Sequence, residues 1–280
     1  MPGAWGPGVL EYGGSPADQL EGPSMELRVL GAHNMESRDT RMESHLIDGV
    51  LALDAGGMTR ALSFDEQKRI RAIILSHRHF DHVRDLLPLG LTMRDEGVTV
   101  EVYGISDTLE FVTSRLLDGG LYVDLINYPS PENPVMRLNT VDFYQPFEIL
   151  DYTVVAVPVP HAVPAAGFQL SSGDTRLFYT GDTGKGVSDA WEHVEPNVLL
   201  TEVTFGNENE SKAVAVGHLT PAHLGEALGR FQDLHGYLPR VIVSHINPPW
   251  EKAVREELKA LSVELDIEIL VSHADMTVQL

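Results

Sequence analysis

The run ILSHRHFDH, Ile74 to His82, constrains this chain more than any other stretch. Residues Ile70 to Leu75, apolar apart from Arg71, read as a buried strand, and the loop that follows carries three histidines and an aspartate. Titratable groups set beside a core strand lose their hydration and persist there only with partners. A metal ion is the usual partner, because neutral imidazole and carboxylate are suitable ligands for zinc, iron or manganese. His77, His79, Asp81 and His82 are the candidate ligands in this loop, and a strand end gives them a rigid base.

Later segments repeat the arrangement. YTVVAVPVPH, TRLFYTGD, PNVLLTEV and RVIVSH are short apolar strands that each end in a polar or ionisable residue. Three of those ends are His161, Asp182 and His245, which brings the candidate ligands to seven from four strand ends. Upstream, MELRVLG reads as the first strand, followed by a polar loop from Ala32 to Ser44 and by HLIDGVLALDAG, which holds a hairpin turn at Asp48 and Gly49. VTVEVYG reads as another strand, and Asp107 to Asp118 as a helix with Leu109, Val112 and Leu116 on one face and Gly119 at its end. A second helix has Thr220 as N-cap, Pro221 at its first position, and Leu224, Ala227, Leu228 and Phe231 at helical spacing. Trp250 to Leu261 reads as a third, with IEILVS and MTVQL as closing strands. Strands that first meander and later alternate with helices imply a layered α/β sandwich.

Composition sets limits on partners. With 280 residues and 43% hydrophobic content the chain suits a large α/β domain with a sizeable core. Residues 1–24, rich in Gly and Pro and aperiodic, read as a flexible N-terminal extension to a domain over residues 25–280. Against 20 Lys and Arg stand 41 Asp and Glu, a formal charge of -21 that repels long polyanions and anionic membranes. Bulk nucleic acid and membranes are therefore disfavoured as partners, whereas a metal centre can still hold one small anion. The absence of cysteine excludes disulfides and thiolate metal sites and fits a cytoplasmic location. MPGAWGPGVLEYGG lacks the cationic start and apolar core of a signal peptide, and no stretch of about 18 apolar residues could form a spanning helix. A homodimer is compatible with the sequence.

HRHFDH, followed in order by PH, TGDTG and SH, resembles the metallo-β-lactamase superfamily of dinuclear metallohydrolases, from about Met25 to Leu280. The resemblance implies an αββα sandwich of two mixed β-sheets flanked by helices, and two divalent metal ions, zinc foremost, with manganese or iron(II) also compatible. It implies His77, His79 and His161 on one metal, Asp81, His82 and His245 on the other, and Asp182 bridging. Asp54, in LALDAG, matches the aspartate that the superfamily places behind the ligands, where a hydrogen bond fixes an imidazole tautomer. His45, His193, His223, His235 and His273 read instead as ordinary core or surface residues.

LLTEVTFGNENESKAVAVGHLTPAHL resembles the segment of ribonuclease Z and the class II cyclic-nucleotide phosphodiesterases in which a glutamate pairs with a histidine beside the metals. GHLTP and HINP resemble the cyclic-nucleotide branch, whose ligand loop usually reads HxHLDH before a small residue; Phe80 and Asp85 depart from that pattern. The resemblance implies a phosphodiesterase that hydrolyses a small cyclic nucleotide by attack of a metal-bridging hydroxide, with Asp81, Glu202 and His218 as catalytic residues. Glu202 would stabilise a protonated His218, the acid for the departing ribose oxygen. Between His161 and Asp182, AVPAAGFQLSSGDTRLFYTG has room for a hairpin but not for the transfer-RNA arm of ribonuclease Z. A ribonuclease Z-like endoribonuclease is one alternative, a lactone, ester or thioester hydrolase on the same metals another, and a non-catalytic metal-bound sensor a third. Arg38 and Arg41, after the first strand, could reach a phosphate, though each also reads as a solvated loop charge.

Overall fold

The computed structural model describes residues 25–280, so the expected extension over residues 1–24 lies outside the described residues. The first of two seven-stranded sheets is entered through β1 (Glu26–Gly31), β2 (Ser44–Ile47) and β3 (Leu51–Leu53). Asp48 and Gly49 join β2 to β3 with positive φ of 48° and 72°, the backbone of a tight hairpin that suits Asp and Gly. β4 (Ala72–Ile74), β5 (Val100–Gly104) and, after a small ribbon of β6 (Pro129–Ser130) and β7 (Asn133–Pro134), β8 (Met136–Thr140) complete it in parallel with β3. β3 and β4 are wholly buried, which explains why they read as unbroken apolar runs.

The second sheet begins with the antiparallel strands β9 (Pro146–Ile149), β10 (Tyr152–Val159), β11 (Ala165–Ser172) and β12 (Thr175–Tyr179). It continues in parallel through β13 (Val198–Glu202), β14 (Arg240–Ser244) and β15 (Ile269–Val271). The last strand, β16 (Thr277–Gln279), crosses back to pair with β1, so the two closing strands fall in different sheets. The β11–β12 hairpin fills the link between His161 and Asp182 as expected.

Three apolar layers hold the sandwich. Leu27, Leu51, Ile74, Phe168, Leu200 and Ile242 pack between the sheets. Over the outer face of the first sheet lie α1 (Met58–Ala61), α2 (Phe64–Gln67), α3 (Phe80–Val83), α4 (Leu86–Met93) and α5 (Ser106–Val112), sharing a core that includes Ile73, Leu86, Leu89 and Val112. Over the second, after the short α6 (Glu210–Val216), α7 (Pro221–His235) and α8 (Glu251–Leu265) bury Leu228, Phe231, Val254 and Leu258. Thr220 caps α7 by accepting from the His223 N–H, and Pro221 occupies its first turn. The architecture is the expected αββα sandwich of two mixed sheets.

Two helices depart from their expected course. α5 closes at Val112 and gives way to a π-helical turn over Thr113–Leu117. The wider turn takes in an extra residue, so Leu117 enters the core and Leu116 is left half-buried. α8 begins after a 3-10 turn at Pro248–Trp250 and runs past Leu261 to Leu265, where Asp266 turns left-handed. No helix among the described residues is long and apolar enough to cross a membrane.

Candidate metal centre

Asp182 stands at the middle of the site, just beyond β12. Its Oδ2 lies 3.7 Å from both His77 Nε2 and His161 Nε2, while Oδ1 lies 3.3 Å from His82 Nε2 and 3.2 Å from His245 Nε2. His79 Nδ1 joins the first group, 3.1 Å from His161 Nε2, and Asp81 Oδ2 joins the second, 3.2 Å from His245 Nε2. All seven expected ligands therefore meet in two adjoining groups with one carboxylate between them. Gly181 makes this approach feasible: its φ is 57°, and a Cβ there would come within 2.4 Å of Ser76 Cβ.

The surrounding hydrogen bonds fix the tautomers. His161 Nδ1 donates to the Gly217 carbonyl at 2.8 Å, and His82 Nδ1 to Asp54 Oδ2 at 2.7 Å, which leaves a lone pair on each Nε2. Thr204 Oγ1 gives its proton to Glu202 Oε2 and so accepts from His245 Nδ1 at 3.0 Å. By the same logic Ser76 Oγ donates to Asp54 Oδ2 and accepts from His77 Nδ1 at 3.0 Å. Four imidazoles thus turn their Nε2 atoms toward one another, an arrangement that needs either protons on some of them or a cation between them.

Charge balance makes the same demand. Burial holds His77 well below the usual imidazole range. Burial also opposes protonation of His82 and His245, yet Asp182 and its neighbouring carboxylates raise His82 well above its ordinary value and His245 to about 9. Asp182 is lowered in turn: burial resists ionisation, and the positive His245 and His82 overcome it. Even so, His77 Nε2 and Asp182 Oδ1 are buried without a hydrogen-bond partner. Unpaired buried donors and acceptors are rare and costly, and nitrogen and carboxylate lone pairs are what a divalent cation takes. The donor set therefore fits two divalent cations.

His218 adjoins this centre without serving as one of the seven. Its ring stacks on His245 with centroids 5.5 Å apart, and Nδ1 donates to Glu202 Oε1 at 2.6 Å. Glu202 is locked in place: Oε1 also accepts from the Thr183 N–H, while Oε2 accepts from the Thr204 N–H and Oγ1 and from the Leu219 N–H. Asp81, expected to act in catalysis as well as ligation, is placed by geometry with the ligands.

Several contributors escaped the sequence reading. Thr204 connects Glu202 to His245, and Tyr179 donates to Asp54 Oδ2 at 2.6 Å. Glu43 joins His45 at 2.5 Å and Ser244 Oγ at 2.8 Å, and His45 is the buried, partnered core residue it was expected to be. His193, His223, His235 and His273 join no metal-holding group among the described residues. Arg41 is engaged with both oxygens of Asp275, at 2.9 and 3.1 Å, and Arg38 is an exposed charge beside Asp39. Asp85 accepts from the Thr59 N–H and hydroxyl and from Arg84, a purely structural use of that departure from the family pattern.

A family profile described as Beta-lactamase superfamily domain matches residues 45–246, a span that runs from β2 to just past His245. The chain belongs to the beta-lactamase superfamily. Among superfamily relatives, a 3′,5′-cyclic-nucleotide phosphodiesterase from Aliivibrio fischeri is 24% identical over 238 residues, covering 70% of this chain and 70% of its own. A ribonuclease Z from Acaryochloris marina is 26% identical over 125 residues, 44% of this chain and 36% of that protein. The crystal structure of unliganded yeast PDE1 shares the fold at a TM-score of 0.78 and 13% identity, across 92% of this chain and 99% of that one. The two ligand groups and the family together establish a hydrolase fold whose centre fits two metals.

Proposed function

We propose that this chain is a metal-dependent phosphodiesterase acting on a small cyclic nucleotide. The observation that carries the reading is the His218–Glu202 pair, a proton donor set against His245 and held at 2.6 Å by a carboxylate. Similarity to a cyclic-nucleotide phosphodiesterase supports the same substrate class. The tight β11–β12 hairpin weighs against the transfer-RNA arm of the ribonuclease Z alternative.

The seven ligands would hold two divalent cations, which when bound would supply an activated nucleophile and neutralise phosphoryl oxygens. The protein's part is to manage the leaving group. Hydrolysis of the cyclic ester breaks one P–O bond, and the departing ribose oxygen needs a proton to become a hydroxyl. Burial opposes protonation of His218, but the adjoining Glu202 carboxylate raises its pKa and so favours the protonated ring that a general acid needs. Nδ1 is engaged with Glu202, which leaves Nε2 as the nitrogen that transfers it.

The test compares leaving groups. On a 3′,5′-cyclic nucleotide His218→Ala should lower kcat by about 10²-fold or more, and on bis(p-nitrophenyl) phosphate much less, because nitrophenolate departs without a proton. Equal losses on the two would assign His218 to the metal centre instead. Turnover of a lactone or a precursor transfer RNA far above every cyclic nucleotide would overturn the reading.

A further inference from the structure

His79 faces two spaces. Besides the metal centre it lines a pocket of about 330 Å³ whose other walls are Arg78, Phe80, Val83, Phe111, Arg115 and Leu116. Phe80 is 60% exposed and Phe111 39% exposed, large apolar surfaces left open beside a reactive centre. The π-helical turn accounts for part of this wall: by sending Leu117 inward it leaves Arg115 and Leu116 on the rim. Arg78 is held by Asp107, with its guanidinium 5.6 Å from the Phe111 ring centroid, whereas Arg115 makes no ion pair among the described residues. On a chain of formal charge -21, this Arg115 beside the metal centre favours an anionic ligand at this spot over the rest of the surface.

We propose that this pocket holds the nucleobase of the substrate, stacked on Phe80 and Phe111, while its phosphodiester lies at the metal centre; the proposal rests on the phosphodiesterase reading. Phe80 follows the ligand His79 in the chain, and His79 itself belongs both to the pocket wall and to the metal centre, so the two spaces adjoin through one side chain. Phe80 and Phe111 therefore set specificity, and Arg115 supplies a cation to the base or to the approaching anion. The two phenylalanines read the base's flat face, and Arg115 is the donor on the wall with no ion pair among the described residues. Purine substrates, with the larger stacking face, are then turned over better than pyrimidines.

The experiment uses the full-length, metal-loaded protein with adenosine, guanosine and uridine 3′,5′-cyclic phosphates and with ribose 3′,5′-cyclic phosphate, which has no base. Wild type should prefer the adenosine compound to the base-free one, and Phe80→Ala and Phe111→Ala should each cut that ratio of kcat/KM about tenfold, mostly through KM. Phe80→Tyr should retain it. Equilibrium binding of adenosine 5′-monophosphate should weaken in the same two alanine variants and not in Phe80→Tyr. If the cyclic phosphates are hydrolysed but both alanine variants leave the ratio unchanged, or lower both substrates in parallel, the pocket assignment is wrong while the phosphodiesterase reading stands. If no cyclic phosphate is hydrolysed, the phosphodiesterase reading fails and the pocket assignment falls with it.

Discussion

Asp54 illustrates how much one side chain carries. It is fully buried with a left-handed φ of 55°, and its Oδ2 accepts from Ser76 Oγ, His82 Nδ1 and the Tyr179 hydroxyl at 2.6 to 2.7 Å. Burial together with the nearby negative charge raises the Tyr179 pKa well above its usual value, which keeps that hydroxyl a donor. Asp54→Asn would turn an acceptor into a donor on one side and free His82 to change tautomer. The expected cost is about 1–3 kcal/mol in denaturant unfolding, with a loss of about 10- to 100-fold in metal affinity by chelator competition. An unchanged chelator midpoint would mean that something other than Asp54 orients His82. Asp54 was legible only through the resemblance, because LALDAG matches the place where the superfamily sets an aspartate behind the ligands. Glu43, by contrast, finds Ser244 at 201 positions' distance, and nothing in either local sequence separates a buried partner from a solvated side chain.

At the scale of elements, α2 shows a local motif tied to the sheet. Ser63 and Glu66 form a reciprocal capping box, and Glu66 also reaches Arg28 on β1 at 2.6 Å. The Ser63 backbone and hydroxyl, with Arg28, pull the Glu66 pKa from 4.5 to about 2. A carboxyl with a depressed folded-state pKa contributes stability that is present above its unfolded pKa and lost as pH falls through the folded value. Glu66→Gln should therefore flatten the acid limb of stability between these two pH values, and cost about 1 kcal/mol or less at neutral pH because the pair is partly solvated. An acid limb identical to wild type would rule the contribution out. β4 and β14, which lead into ligands, were readable because burial on both faces writes continuous apolar runs. β8 and β9 were not, because each is the edge of its sheet and has one buried residue, Met136 or Ile149, too few to write an apolar run. The π-helical turn was equally invisible, since LeuLeu at 116 and 117 satisfies a helical face with either residue.

For the whole molecule, the ligands come from both sheets, so cations at the centre tie the halves together. Metal binding to the native state should raise the melting temperature with free metal concentration, by about 2.7 kcal/mol of stability at a hundredfold excess over Kd. A melting temperature that ignores both metal and chelator would refute a native metal centre. The overall charge of -21 makes a separate demand on the substrate. A polyanion gripped through 6–10 phosphates loses about 10³–10⁵ in affinity between 50 and 200 mM salt, because each neutralised phosphate releases counterions. One phosphodiester resting on two cations, with Arg78 and Arg115 at the rim, releases few. Its KM should therefore rise only a few-fold over about the same salt range, measured at fixed free metal. A steep salt slope would point to many basic contacts along a longer nucleic acid, and the small-substrate reading would have to be abandoned.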